Sequence, residues 1–268
     1  MQARGFLPRE AMDALFGALA GLGARCIGPR VRDGAIVYEE LGGAADLPHG
    51  ARDVQAPGSY RLAFTEDRRC FAWANGPQAL KPLVFRPRET LWRAERDEAG
   101  RLAFHTELPE PPLTAVIGVR ACDLAALDLQ DRHFLHGGVR DPHYAARREK
   151  LLLIAVNCTH PAATCFCDAT GDGPLVSGGC DLLLDELDDG FVISAGSERG
   201  EALAGALPLL ELDPEHQQVL EQGRCRAGNA QVRHLPAGDL PRILFDHLEH
   251  PAWAEIAERC LSCGNCTA

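Results

Sequence analysis

Three cysteines near the C-terminal end of the sequence, Cys260, Cys263 and Cys266, are spaced i, i+3 and i+6. This is the spacing of the first three ligands in a bacterial ferredoxin-type motif, C-x2-C-x2-C-x3-C-P. Thiolates are the soft ligands that iron and sulfide require, so the trio predicts a [4Fe–4S] cluster as cofactor. The fourth cysteine of the motif would fall beyond Ala268. We therefore expect either a fragment of a longer subunit or a last ligand supplied from elsewhere.

Four further cysteines form a second candidate site: Cys122, Cys158, Cys165 and Cys167. Cys122 follows the apolar run 113–119 and Cys158 follows the apolar run 151–156, which we predict to be strands buried on both faces. Ligands of open α/β sheets bind outside the carboxyl ends of strands, so these two thiols converge if the strands are neighbours. The loop that follows adds the other two thiols. Three interpretations stay open: a [4Fe–4S] cluster, an all-cysteine zinc site, or core cysteines without a ligand.

The remaining cysteines and motifs add no other chemistry. Cys26, Cys70, Cys180 and Cys225 stand alone in the sequence, and we predict that they are packing residues. The sequence has no G-x-S-x-G elbow, no H-E-x-x-H pair and no FAD or NAD fingerprint. No catalytic residue is therefore predicted, which fits an electron-transfer subunit better than a self-contained enzyme.

Composition limits the class of protein. The 268 residues carry a formal net charge of −11, which argues against a nucleic-acid or anionic-membrane partner, since both need basic surfaces. No stretch approaches the roughly 20 apolar residues of a membrane span, and the N-terminal residues do not resemble a signal peptide. Eleven cysteines without export signals favour metal ligands over disulfides. We therefore expect a cytoplasmic metalloprotein.

The apolar patterns predict an α/β body with a mostly parallel sheet over residues 1–240, followed at 241–268 by a helical segment that runs into the cysteine trio, the start of a ferredoxin-like helical domain. Within the body we predict a helix at 9–23 and a hairpin from 24–27 and 35–41. We predict a second hairpin from 59–64 and 69–74, and a link between body and tail at 214–241. Arg147 and Arg148 are expected on a solvated helix; the alternative is that one of them pairs with cluster charge or with a partner protein.

Several motifs follow one another in the order of a known family: Gly76-Pro77, Lys81-Pro82, Pro87-Arg88-Glu89, Gly118-Val119-Arg120-Ala121-Cys122-Asp123, Asp141-Pro142-His143-Tyr144 with Arg147-Arg148, Asn157-Cys158 with Cys165-Phe166-Cys167, and the C-terminal trio. With these motifs the chain resembles the iron–sulfur β subunit of soluble hydrogenase/sulfur reductase (sulfhydrogenase) complexes. The electron-transfer subunit of anaerobic sulfite reductase belongs to the same group. The resemblance covers most of the chain from about residue 60.

The resemblance implies an electron-transfer role. Such a β subunit passes electrons between a flavin-containing, NAD(P)H-reacting subunit and a nickel–iron hydrogenase or sulfur reductase module. It implies a [4Fe–4S] cluster on Cys122, Cys158, Cys165 and Cys167, and a two-cluster ferredoxin domain that is incomplete here. One alternative is an electron-transfer subunit of a sulfite reductase, whose partner carries siroheme. Another is a zinc-stabilised structural module without a redox role. Thiol-based sensing by a C-x-C pair is disfavoured, because that spacing suits a disulfide poorly.

Overall fold

A computed structural model of the chain describes residues 1–56, 58–74, 76, 80–235 and 238–262. Its strands are β1 (Gln2–Pro8), β2 (Arg25–Arg32), β3 (Ala35–Glu40), β4 (Ala51–Ala56), β5 (Ser59–Phe64), β6 (Trp92–Arg96), β7 (Leu102–Thr106), β8 (Thr114–Val119), β9 (Leu151–Val156), β10 (Leu182–Glu186) and β11 (Gly190–Ala195). Its helices are α1 (Asp13–Gly21), α2 (Lys81–Val84), α3 (Ala121–Phe134), α4 (Pro142–Glu149), α5 (Cys167–Thr170), α6 (Glu198–Gly205), α7 (Pro214–Asn229), α8 (Leu240–Phe245) and α9 (Ala252–Glu258). Two short 3₁₀ turns lie at Arg9–Ala11 and Ala44–Asp46.

A seven-stranded mixed sheet forms the centre of the molecule, in the order β1-β11-β10-β9-β8-β2-β3. The four central strands β10, β9, β8 and β2 are parallel to one another, and β3 and β11 pair antiparallel at either side. The hairpins β4–β5 and β6–β7 form two separate two-stranded sheets. The described residues thus have an α/β architecture, as the sequence predicts, with antiparallel strands at both edges.

Both faces of the parallel strands are covered, which explains their continuous apolar sequences. One face packs against α1 and α6 with alternate side chains of β8 and β9, namely Ala115, Ile117, Leu152, Ile154 and Val156. The opposite face packs against α3 and α4 with the intervening side chains Val116, Val119, Leu151, Leu153 and Ala155. Because residues along a strand alternate between faces, strands with helices on both sides need apolar residues at every position.

A β-bulge interrupts β8 just before the first candidate ligand. The register of β8 against β9 shifts between Ile117 and Val119, and Gly118 there has φ +87°. A Cβ at Gly118 would lie 3.1 Å from the Phe71 ring, so glycine is required by the backbone and by packing. The Tyr38 hydroxyl donates a hydrogen bond of 2.7 Å to the Gly118 carbonyl. Bulges redirect the chain, and this one fixes how β8 passes into α3.

The second predicted hairpin is wrong. Strand β5 pairs with β4 and not with residues 69–74, because residues 51–56 are extended although their sequence is typical of a loop. The predicted link 214–241 contains the 16-residue helix α7, which Asp213 caps by accepting a hydrogen bond from the His216 amide. Within the described residues no helix combines the length and the apolar character needed to cross a membrane.

The expectation of a solvated helix at Arg147 and Arg148 is also wrong. The Arg147 side chain is buried and forms a salt bridge with Glu89, and Arg148 pairs with Asp131 at 3.0 Å. The Glu89 carboxylate also contacts His143 Nδ1 at 3.0 Å. The two motifs at Glu89 and at residues 143–147 therefore bind each other and attach α4 to the segment before β6.

The Glu89 carboxylate gives a pH-dependent prediction. The hydrogen bonds of Arg147 hold the pKa of Glu89 below its ordinary value, against the desolvation of the carboxylate. A carboxylate whose pKa is lowered by folding stabilises the fold at pH values above its unfolded-state pKa. This stabilisation is lost as the pH falls through the folded-state pKa. We expect Glu89→Gln to lower the free energy of unfolding by about 2 kcal/mol at pH 7, with the difference from wild type shrinking below about pH 4.

Urea unfolding of both proteins at a series of pH values measures this difference. Glu149→Gln, at the end of α4, is the control, since its partner Arg140 lies 3.4 Å away on the surface and such pairs contribute little. An equal loss for Glu89→Gln at pH 7 and pH 3 would contradict the assignment to charge.

Candidate metal centre

The candidate ligands Cys122 and Cys158 lie at the same edge of the sheet. Strands β8 and β9 are parallel neighbours, with Thr114 opposite Leu151 and Val119 opposite Ala155. Cys122 lies in the first turn of α3, directly after β8, and Cys158 follows the end of β9. The condition that the sequence left open, adjacency of the two strands, is therefore met.

The other two thiols come from the loop after β9. The Cys165 amide donates a hydrogen bond of 3.0 Å to the Ala162 carbonyl, and Cys167 is the first residue of the short helix α5. The loop then returns to the sheet edge, where the Cys158 amide donates to the Pro174 carbonyl at 3.3 Å. At Gly173 a Cβ would lie 3.1 Å from Cys167 Sγ, so this glycine allows the loop to close over the thiol. The loop thereby faces the sheet edge that carries Cys122 and Cys158.

The electrostatics of the thiols indicate that all four are neighbours. Desolvation by the surrounding protein, together with the nearby charges of Asp123, Cys167 and Cys158, raises the pKa of Cys122 to about 12. Burial also raises the pKa of Cys165 and of Cys167, and in both cases the charge of Cys158 adds to the effect. Cys158 thus acts electrostatically on each of the other three thiols.

A cavity of about 320 Å³ opens over three of the cysteines, Cys122, Cys165 and Cys167. Its wall includes Ala125 and Leu129 of α3, and Cys122 is exposed into it while the other candidate ligands are half-buried. Among the residues that the structure describes, no three His, Cys, Asp or Glu side chains are grouped tightly enough to hold a single metal ion. Cys158 does not line this cavity but a smaller one, together with Asn157 and Asp185.

A buried arginine adjoins this site. The Arg120 guanidinium donates hydrogen bonds to the carbonyls of Phe71 (2.7 Å), Trp73 (3.0 Å) and Asn157 (3.2 Å), and it lies 4.8 Å from the centre of the Trp73 ring. Only 2% of Arg120 is exposed, and its Nε has no hydrogen-bond partner. No described carboxylate forms a salt bridge with it, although its charge lowers the pKa of Cys122. The site thus contains a buried positive charge that has no salt-bridge partner among the described residues.

Asn157 holds the end of β9 in place beside Cys158. Its side-chain carbonyl accepts a hydrogen bond of 2.7 Å from the Val176 amide, and its amide group donates to Asp185 at 2.6 Å. Asp185 in turn accepts from Arg224 of α7 at 2.8 Å. This buried network links the sheet edge, the loop after α5 and helix α7.

Sequence reasoning did not find Gln231. This residue follows α7 and is buried, with only 3% of it exposed. Its Nε2 lies 3.1 Å from Cys167 Sγ, and its Oε1 accepts a hydrogen bond of 3.2 Å from the Asp168 amide. Gln231 and Cys167 are 64 residues apart, and a contact over that distance leaves no local pattern in the sequence. Because residues 214–241 were interpreted as a link, the helix that brings Gln231 to the site was not predicted.

The isolated cysteines divide into two groups. Cys26, Cys70 and Cys180 are buried, which confirms the prediction that they are packing residues. Cys225 is exposed on α7, so the prediction is wrong there. The His49 ring lies 3.1 Å from Cys70 Sγ, but Cys70 is only 1% exposed and burial raises its pKa to about 12. We therefore assign no reactive role to this pair.

The C-terminal trio lies mostly outside the described residues. Cys260 is exposed and follows α9, with its amide donating to the Ala257 carbonyl at 3.1 Å. Its Sγ accepts a hydrogen bond of 3.3 Å from the Ser262 amide. Cys263 and Cys266 are not among the residues that the structure describes, so the predicted tail cluster stays a prediction.

Comparison with known proteins gives one informative relative. No family model and no solved structure matches the sequence. The chain is similar to the sulfhydrogenase 2 subunit beta of Pyrococcus furiosus, with 27% identity over 192 residues, which cover 70% of this chain and 54% of the relative. The chain therefore spans about half the length of the curated relative that it matches. Over most of its own length, the chain is similar to a hydrogenase beta subunit.

Proposed function

We propose that this protein is an iron–sulfur electron-transfer subunit of an oxidoreductase complex. The observation that carries the proposal is the position of Cys122 and Cys158 at the carboxyl ends of two adjacent parallel strands, with Cys165 and Cys167 on the loop that returns to this edge. A [4Fe–4S] cluster bound there would accept and release one electron at a time. In the part of the chain that the structure describes, no constellation of nucleophile, base and substrate pocket suggests a second activity.

The residues of the site fit such a cluster in three ways. The donor set is four thiols, which is the ligand set of [4Fe–4S] clusters. The buried Arg120 supplies positive charge next to a group that would be anionic with four thiolates. Gly173 leaves room beside Cys167 that a side chain would fill.

A cluster and a zinc ion require different distances between the thiols. A tetrahedral zinc ion with bonds of about 2.3 Å would draw its thiolates to within about 4 Å of one another. In a [4Fe–4S] cluster each thiolate binds a different iron, so the ligands stand further apart around a larger group. Metal analysis of the purified chain therefore separates the two groups.

The assignment of an electron donor and acceptor rests on the similarity to a sulfhydrogenase beta subunit. We propose that the chain relays electrons between a flavoprotein that reacts with NAD(P)H and a nickel–iron hydrogenase or sulfur reductase module, using further clusters at Cys260, Cys263 and Cys266. An anaerobic sulfite reductase is the second candidate, because its electron-transfer subunit resembles the same motifs. Nickel or siroheme in the proteins that co-purify with the chain would separate the two assignments.

Metal analysis of the purified chain tests the proposed cluster. The three tail cysteines are first replaced by serine, so that any remaining iron belongs to the body. After anaerobic reconstitution we expect about four irons and four sulfides per chain, with an EPR signal after dithionite reduction. Cys165→Ser/Cys167→Ser should lose both, and Cys225→Ser, which replaces an exposed cysteine on α7, should keep both.

Two results would overturn the proposal. One is a correctly folded chain that stays free of iron after reconstitution. The other is a colourless chain with stoichiometric zinc that iron does not displace, which would instead identify a zinc-stabilised structural module.

A further inference from the structure

Gln231 donates a hydrogen bond to one of the candidate ligands from outside the loop that carries it. The Nε2 atom lies 3.1 Å from Cys167 Sγ. The orientation of the amide is fixed by its other end: Oε1 faces the backbone N–H of Asp168, which can only donate. The NH₂ group must therefore face the sulfur.

The surroundings of Gln231 make this contact specific. The residue is 3% exposed, and its backbone amide donates to the Gly228 carbonyl at the end of α7. Helix α7 is itself attached to the sheet by the pair of Arg224 with Asp185. The donor is thus held at the end of helix α7, and its direction toward Cys167 does not depend on the loop that carries the cysteine.

An N–H group directed at a ligand sulfur has a predictable effect on a cluster. The positive end of the N–H dipole stabilises negative charge on the sulfur, and the reduced state of a cluster carries one more negative charge than the oxidised state. Hydrogen bonds to the sulfurs are among the factors that set cluster reduction potentials.

We propose that Gln231 is a positioning residue that raises the reduction potential of the cluster bound at Cys167, through its hydrogen bond to the thiolate sulfur. This inference rests on the proposed function, since it requires a cluster at Cys122, Cys158, Cys165 and Cys167. It adds a residue just after α7 to a site whose sequence motifs lie at Cys122, at Cys158 and at residues 165–167.

Redox titrations monitored by EPR test the inference in the full chain with its tail cysteines replaced by serine. Gln231→Glu keeps the acceptor for the Asp168 amide and removes the donor to sulfur, and Gln231→Leu removes both. Gln222→Leu, at an exposed position of α7, is the matched control. At the wild-type midpoint potential we expect the ratio of oxidised to reduced cluster to rise about tenfold in Gln231→Leu, which corresponds to about 59 mV for one electron. The rise should be larger in Gln231→Glu, and Gln222→Leu should match wild type.

The possible failures are distinguishable. If the wild type and every variant hold an intact cluster with the same midpoint potential, Gln231 has only a structural role and the inference is wrong while the proposed function stands. If the correctly folded wild type holds no cluster, both are wrong. A loss of stability in Gln231→Leu without a change of potential would also overturn the inference.

Discussion

Replacing Glu186 by glutamine is expected to lower the free energy of unfolding by about 3–5 kcal/mol, because it leaves the buried Arg9 guanidinium without a counter-charge. Both side chains are almost completely buried, with 4% of Arg9 and 1% of Glu186 exposed, and they form a salt bridge of 2.9 Å. The Glu186 carboxylate also accepts hydrogen bonds from the amides of Cys70 (2.6 Å) and Phe71 (2.9 Å). A glutamine NH₂ group would face one of these donors in any orientation.

The pair connects three distant parts of the chain, which is why its loss should be large. Arg9 lies in the 3₁₀ turn after β1, Glu186 ends β10, and residues 68–71 lie between them. Domains of this kind are stable by only about 5–15 kcal/mol, so the expected loss is a substantial fraction of the total. Urea unfolding followed by circular dichroism measures it.

Asp188→Asn is the matched control for Glu186→Gln. Asp188 pairs with Arg69 at 2.6 Å but is 85% exposed, and exposed pairs contribute at most about 1 kcal/mol. The double variant Arg9→Met/Glu186→Leu should recover only part of the stability, since the amides of Cys70 and Phe71 stay unpaired. Equal losses for Glu186→Gln and Asp188→Asn would show that the buried charge pair is not what holds these segments together.

The parts of the fold that could be predicted from sequence are those with local patterns. The continuous apolar runs of β8 and β9 identify strands buried on both faces, and the cysteines that follow them identify a sheet edge as the candidate site. Whether the two strands are neighbours depends on pairing across more than thirty residues, which no local pattern reports. The sequence therefore predicts the ligands more readily than the arrangement that brings them together.

Polar residues whose partners are distant in sequence were the least predictable. The residues around Arg147 have the composition of a solvated helix. Arg147 is nevertheless buried, because it pairs with Glu89, 58 residues earlier. Gln231 lies in a polar stretch that is typical of a linker, and its partner is Cys167. In both cases the side chain is buried because one specific group satisfies it, and hydrophobic periodicity carries no information about such pairs.

Arg120→Met is the substitution that we expect to affect the candidate metal centre most strongly without removing a ligand. The buried guanidinium has no carboxylate partner among the described residues, and its three hydrogen bonds go to backbone carbonyls. In the cluster-free chain methionine removes an unbalanced charge and leaves those carbonyls unpaired, so the two effects largely offset each other. In the loaded chain methionine also removes an attraction to an anionic group.

We therefore expect Arg120→Met to shorten the lifetime of the bound cluster about thirtyfold, while changing the stability of the cluster-free chain by less than about 1 kcal/mol. The factor corresponds to the loss of a charge attraction of about 2 kcal/mol at an effective dielectric constant near 20. Arg120→Lys keeps the charge and should lie close to wild type, whereas Arg25→Met, which removes an arginine from the opposite end of the parallel strands, should have no effect. Loss of the cluster's visible absorbance under a chelator measures the lifetime. If Arg120→Lys loses the cluster as fast as Arg120→Met, the hydrogen bonds of Arg120, and not its charge, support the site.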